Sequence, residues 1–242
     1  MKKKLIVIEG LDGSGKATQS GLLYTFLQKE YGCETGACLR QVSFPDYESD
    51  SSALVKMYLA GQFGSKPEDV NAYAASSFYA VDRYASFKRD WKRDWESGII
   101  IADRYTTSNA IHQCSKLPEK MWDEYLDWLF HYEYALLGIP EPSMVIYLRV
   151  DPAVSQRLLT LRYEGQEKRD IHERDREYLA RCQKAAAYCA EKLGWRVVEC
   201  CRDGEMRSIE EIQQELLPLV REALSSPAEE TGAASPTPRE EV

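Results

Sequence analysis

The sequence predicts an α/β fold: a five-stranded parallel sheet flanked by helices on both faces, with a phosphate-binding loop at one sheet edge. Three observations carry this. Short β-branched runs alternate with longer amphipathic stretches, the first run ends in glycines that feed a helix, and the later runs end in charged or turn-forming residues. The runs at 5–9, 38–44, 98–103, 144–150 and 196–200 read as strands. Helical patterns lie between them. The stretch 70–96 has helical spacing without proline, and 121–137 carries Trp122, Tyr125, Leu126, Trp128 and Leu129. That aromatic stripe either packs on the sheet or buries against a partner subunit.

A chain of 242 residues, 44% hydrophobic, is long enough for one substantial core. A single domain over 1–224 is expected. Residues 225–242, rich in Pro, Ser, Ala, Glu and Thr without a large apolar anchor, read as a disordered tail. The net charge of -8 excludes a general nucleic-acid or anionic-membrane surface, so an anionic ligand must be held by local charge. The seven cysteines include no C-x-x-C pair, and the three histidines, His112, His131 and His172, are scattered. Reduced thiols are expected, with no zinc site and a cytoplasmic location. The apolar run after Met1-Lys2-Lys3-Lys4 breaks at Glu9, too short for a signal peptide or a membrane span.

The stretch Gly10-Leu11-Asp12-Gly13-Ser14-Gly15-Lys16-Ala17 follows the first strand and opens a helix near Lys16. Backbone N–H groups and a helix N-terminus then converge on one point, and Lys16 adds a charge able to follow a phosphoryl group. The match to G-x-x-x-x-G-K-[ST] fails only at Ala17, where a metal-ligating hydroxyl normally stands. Either Thr18 replaces it, or phosphate oxygens, water and distant carboxylates hold the metal. The third strand delivers Asp103-Arg104-Tyr105 to the same edge. Arg104 suits a bridge between donor and acceptor phosphates, and Asp103 suits a magnesium water shell or the orientation of that arginine. From 157 to 181 arginines interleave with acids, as in a solvated helix pair or a lid carrying guanidinium groups.

Four features taken together, the loop with its Asp12, the run Ser77-Phe78-Tyr79-Ala80-Val81-Asp82-Arg83, then Asp103-Arg104-Tyr105 and Ser108-Asn109, resemble the thymidylate kinase family. The resemblance spans about residues 4–220. It implies ATP-dependent phosphorylation of dTMP to dTDP with Mg2+, a homodimer, and a mobile lid at about 157–176. Gly10, Gly13, Ser14, Gly15, Lys16, Ala17 and Thr18 would hold the ATP phosphates. Tyr79 would stack on thymine, Arg83 would donate to a base carbonyl, and Asn109 would read the base edge. Asp12 would accept from the sugar 3′-hydroxyl, His112 falls at the gate against a ribose 2′-hydroxyl, and Phe44, Arg104 and Ser108 complete the dTMP pocket. Arg157, Arg162 and Arg169 are the lid candidates beside Lys16, Arg104 and Asp103 as catalytic residues. Glu173 joins Asp103 and Thr18 as a candidate near the metal, through water. Adenine is expected near Cys201-Arg202-Asp203. The chain departs from the family at Asp46-Tyr47, where many members carry an arginine, and at Ala17. Another pyrimidine monophosphate kinase and a non-catalytic nucleotide-binding homologue are the alternatives.

Overall fold

The computed structural model describes residues 3–32, 38–162 and 171–225, without the side chains of 159, 161, 162, 173, 174 and 176. The expected tail beyond Ser225, a residue that instead ends the last helix, and the centre of the expected lid, Arg169 included, lie outside the described residues. In chain order the elements are β1 (Lys4–Gly10), α1 (Lys16–Glu30), β2 (Leu39–Ser43), α2 (Ala53–Leu59), α3 (Ala72–Ser86) and α4 (Lys92–Ser97). There follow β3 (Ile99–Asp103), α5 (Thr106–Cys114), α6 (Trp122–Phe130), β4 (Met144–Arg149), α7 (Pro152–Arg162) and α8 (Ile171–Arg174). The chain then forms α9 (Arg176–Lys192), β5 (Arg196–Glu199), the short strands β6 (Cys201–Arg202) and β7 (Glu205–Met206), and α10 (Ile209–Ser225).

The five long strands pair in the order β2-β3-β1-β4-β5, all parallel. All five runs read from the sequence are therefore strands, with ends moved by at most one residue. The β6–β7 hairpin was not anticipated. Its strands are two residues each, too short for periodicity to register. In β1 every residue is buried, because helices cover both faces. Ile6 and Ile8 pack with Leu23, Leu27 and Leu216, while Leu5 and Val7 pack with Phe87, Trp91 and Tyr105. Register fixes the functional edge: Asp103 lies opposite Ile8 on one side and Ser43 on the other. Three strand ends thus open onto one crevice, where β1 sits between connections leaving in opposite directions.

Trp122, Tyr125, Leu126 and Leu129 of α6 are buried against α5 and α9, which decides the aromatic stripe in favour of packing within the chain. Both long helical stretches contain a π turn, at Phe87–Trp91 and at His131–Leu136. Such a turn inserts one residue and rephases the side chains that follow. Among the described residues five cysteines are free, whereas Cys38 is disulfide-bonded, which corrects the expectation of uniformly reduced thiols.

Candidate active site

The phosphate loop is built by glycines at positions where a Cβ would either strain the backbone or clash. Gly13 and Gly15 hold φ of 80° and 81°, and a Cβ at Gly10 would stand 2.5 Å from the Ser14 hydroxyl and 3.0 Å from the Leu148 carbonyl. No side chain caps the start of α1, so its first N–H groups remain available to an anion. Lys16 is folded over the loop, donating to the Leu11 carbonyl at 2.9 Å. Burial and the neighbouring Arg104 charge lower its pKa to about 8, against the opposing pull of Asp12, Glu9 and Asp103. Ala17 and Thr18 are exposed at the rim. Ser155 of α7 donates to the Asp12 carbonyl at 2.6 Å and docks that helix on the phosphate loop.

Arg104 holds φ of 65°, uncommon for a residue with a Cβ, and its amide donates to the Ile8 carbonyl at 3.1 Å. The conformation turns its guanidinium across the crevice. Nη2 pairs with Asp12, Nη1 reaches Ser108 at 3.4 Å, and Glu9 lies 3.8 Å away. Burial works against the charge on Asp12, but Arg104 and Lys16 outweigh it and hold its carboxyl well below the usual range. Glu9, fully buried, accepts from Thr107 at 2.8 Å and from Ser108 at 2.8 Å, tying the first turn of α5 to the end of β1. Asp103 is buried and its Oδ1 has no partner. Burial raises its pKa, while Lys16 and Arg104 oppose the rise.

The same cavity, about 680 Å³, is lined by Phe44, Tyr79, Arg83, Ser108, Asn109 and His112 as well as by Asp12, Lys16, Thr18, Asp103 and Arg104. The structure therefore gathers every dTMP-site residue named from the sequence around the phosphate loop. Arg83 is 2% exposed and paired with a fully buried carboxylate, Glu133. Asn109 donates to the Ser76 carbonyl at 3.2 Å. His112 contacts the Tyr178 hydroxyl through Nδ1 at 3.2 Å and stacks on His172, ring centres 5.5 Å apart. Burial, then the Arg104 charge, lowers its pKa to about 3. His172 is held well below its usual value, first by burial and then by His112. Asp82 accepts from the Asp46 amide at 2.9 Å and from Ser51 at 2.6 Å, so the acid beside Arg83 fixes the loop after β2.

A second cleft, about 440 Å³, lies beside Cys201, Arg202 and Asp203, where adenine was expected. Arg157 donates to the Gly204 carbonyl at 3.2 Å and pairs with Glu205 at 2.7 Å, so it spans from α7 to the β6–β7 hairpin. The side chains of Arg162 and Glu173 lie outside the description, as does Arg169 entirely.

Glu9, Glu133 and His172 were not read as site residues from the sequence. Two signals stood in the chain. Glu9 is the one charged residue within its apolar run, and Glu133 falls four residues after Leu129, on the inward phase of an otherwise apolar stripe. A magnesium ion fits this donor set only loosely. Among the described residues no three His, Cys, Asp or Glu side chains converge as a metal site, while the unpartnered Asp103 Oδ1 beside Lys16 suits a hydrated ion shared with phosphate.

The sequence profile of the family described as Thymidylate kinase matches residues 8–215. A thymidylate kinase of Mycobacterium tuberculosis is 30% identical over 200 residues, covering 79% of this chain and 87% of the relative. The human thymidylate kinase is 23% identical over 225 residues, 93% of each chain. A solved thymidylate kinase from Candida albicans, 19% identical, superposes with a TM-score of 0.64 over 91% of this chain and 92% of its own.

Proposed function

The chain belongs to the thymidylate kinase family, a phosphotransferase that converts dTMP to dTDP with ATP, and we propose how its own residues divide that work. Residues 1–224 act as one catalytic domain. The uncapped start of α1 and Lys16 hold the donor phosphates, and Arg104 bridges them to the acceptor phosphate. Tyr79 supplies a face for thymine, Arg83 a donor for its 4-carbonyl and Asn109 an amide for the adjacent ring nitrogen. Asp12 receives the 3′-hydroxyl, and Phe44, Ser108 and His112 close the sugar and phosphate side. The acceptor is already an anion, so no general base is needed, and positioning with charge neutralisation carries the rate.

One observation supports this division above the others: Arg104 touches Asp12 of the phosphate loop and Ser108 of α5 from a single guanidinium. Mg2+ would supply charge neutralisation to the donor phosphates, and Asp103 and Thr18 would stand near its waters. Arg157, Arg162 and Arg169 remain the lid candidates, Arg157 standing on the adenine side. A homodimer is supported by the exposed apolar side chains Val81 and Tyr84 on α3, and size-exclusion light scattering tests it. A cytoplasmic location is the reading for this chain, with the five free cysteines in its favour and the disulfide at Cys38 against it. No described helix is long and apolar enough to cross a membrane.

The test is ADP release from ATP with Mg2+ and a panel of acceptors. Turnover is expected to be fastest with dTMP, slower with dUMP and poor with dCMP, CMP and UMP. A preference for cytidylates would overturn the roles given to Arg83 and Asn109, and ATP binding without acceptor-dependent release would overturn the catalytic reading of this chain.

A further inference from the structure

Glu133 lies in the π turn after α6 and is fully buried, yet four donors converge on its carboxylate. Oε2 accepts from Arg83 Nε at 2.7 Å and from Thr106 Oγ1 at 2.9 Å. Oε1 accepts from Arg83 Nη2 at 2.5 Å and from Asn109 Nδ2 at 3.3 Å. A bidentate pair of this kind fixes the plane of the guanidinium as well as its position. Nε and one N–H of Nη2 are thereby committed, and Nη1, whose contact is a long 3.4 Å approach to the Tyr105 carbonyl, is the nitrogen that Glu133 leaves to the cavity Arg83 lines. Both groups that Asn109 Nδ2 meets, Glu133 and the Ser76 carbonyl, are acceptors without hydrogens to give. With the amide nitrogen taken up by these two acceptors, the amide oxygen is the group Asn109 has left to offer a ligand in the cavity it lines.

The resulting pair, a donor from Arg83 beside an acceptor from Asn109, complements a ring carbonyl next to a ring N–H. That is the edge of thymine or uracil; cytosine presents the opposite order, an amino donor beside a ring acceptor. We infer that Glu133 is the positioning residue that sets this polarity, so that a carboxylate remote from the base determines which pyrimidines the site accepts. The inference rests on the reading of Arg83 and Asn109 as base-facing residues. Removing Glu133 leaves Arg83 buried and unpaired and releases the amide of Asn109 from one of its two acceptors.

The experiment compares wild type, Glu133→Gln, Arg83→Gln and the double variant, measuring KM for dTMP and for ATP, kcat, and the ratio of kcat/KM for dTMP to that for dCMP. Glu133→Gln is expected to raise KM for dTMP about tenfold and to lower the dTMP-to-dCMP ratio by about tenfold or more, with KM for ATP within about twofold. In the Arg83→Gln background the same change should lower the ratio by clearly less than it does alone, because the route through Arg83 is already cut and only that through Asn109 remains. A folded Glu133→Gln enzyme with an unaltered ratio, equal losses for both substrates, or full additivity in the double variant would overturn the inference. Failure of the underlying reading shows separately, as an Arg83→Gln enzyme whose dTMP-to-dCMP ratio is unaltered. Should Glu133→Gln not fold, Thr106→Val removes one donor from the carboxylate while leaving the ion pair in place. A shift of the ratio in the same direction, smaller in size, supports the inference, and an unaltered ratio overturns it.

Discussion

Replacing Arg104 with lysine separates charge from geometry at the centre of the site. The guanidinium now meets Asp12 through Nη2 and Ser108 through Nη1, with Glu9 at 3.8 Å. An ammonium keeps the positive charge but offers one compact centre, so it can serve Asp12 or a phosphate and cannot span both. Two unit charges about 4 Å apart at an effective dielectric near 20 attract by roughly 4 kcal/mol. Part of that attraction is already present with bound ground-state phosphates, leaving about 3 kcal/mol specific to the transition state, or roughly a hundredfold in kcat. Methionine is the poorer probe because it strands Asp12 and Glu9 without their cation and adds a folding cost of about 3 kcal/mol. The assay is ADP release at saturating ATP and dTMP, with ATP affinity measured separately by calorimetry. A kcat within tenfold of wild type, or a loss of ATP affinity as large as the loss of turnover, would refute the bridging role.

Three other outcomes follow from the same geometry. Asp103→Asn should raise the Mg2+ concentration for half-maximal activity about tenfold without lowering the melting temperature, since Oδ1 makes no bond in the fold; an unchanged Mg2+ dependence removes Asp103 from the metal's surroundings. His112 stays neutral down to about pH 3 in the folded chain but titrates near 6.5 when unfolded, so the unfolded state takes up the proton first and stability falls as pH drops from 6.5 toward 3. Between pH 6.5 and 4 the wild type should lose about 3 kcal/mol more than His112→Phe in chemical denaturation, and parallel curves would contradict this. Gly98→Ala should destabilise by about 2 kcal/mol in thermal unfolding, because the new Cβ would stand 2.4 Å from the Cys38 carbonyl oxygen, which bonds the Ile99 amide at 2.9 Å; a loss below about 0.5 kcal/mol would show that β2 moves aside freely.

The strands were legible because each is a short β-branched run, and the phosphate loop because its glycines and Lys16 occur at one spacing immediately after β1. The convergence of Asp12, Asp103 and Arg104 followed from the rule that ligands sit at the carboxyl ends of parallel strands, whereas Arg83 and Asn109, which stand on helices, were placed there by the resemblance to the thymidylate kinase family. What stayed hidden is which groups hold those side chains. Pairing across 50 residues, as between Arg83 and Glu133, leaves no local pattern, and a π turn is not announced by periodicity at all. The destination of the α6 stripe was equally open, since apolar spacing identifies a buried face but not what buries it.

The two arginines that face the cavity are built alike. Behind Arg104 stand Glu9 and Asp12, and behind Arg83 stands Glu133; Thr106, Thr107 and Ser108, the first three residues of α5, donate their hydroxyls to these same buried carboxylates. A buried ion pair adds little net stability, because desolvation offsets most of the attraction. Its consequence here is directional: each guanidinium is held in one plane before any ligand arrives, and α5, which also carries Asn109 and His112, is fixed to β1 and to the π turn by the same bonds. With each arginine neutralised from behind and a chain charge of -8, long-range attraction cannot gather two anionic substrates. The site must therefore act through short-range donors already aimed, namely the α1 amides, Lys16 and the unspent N–H groups of Arg83 and Arg104. Such a site discriminates by geometry at contact, which is why altering a supporting carboxylate should change which base is accepted more than how tightly ATP is held.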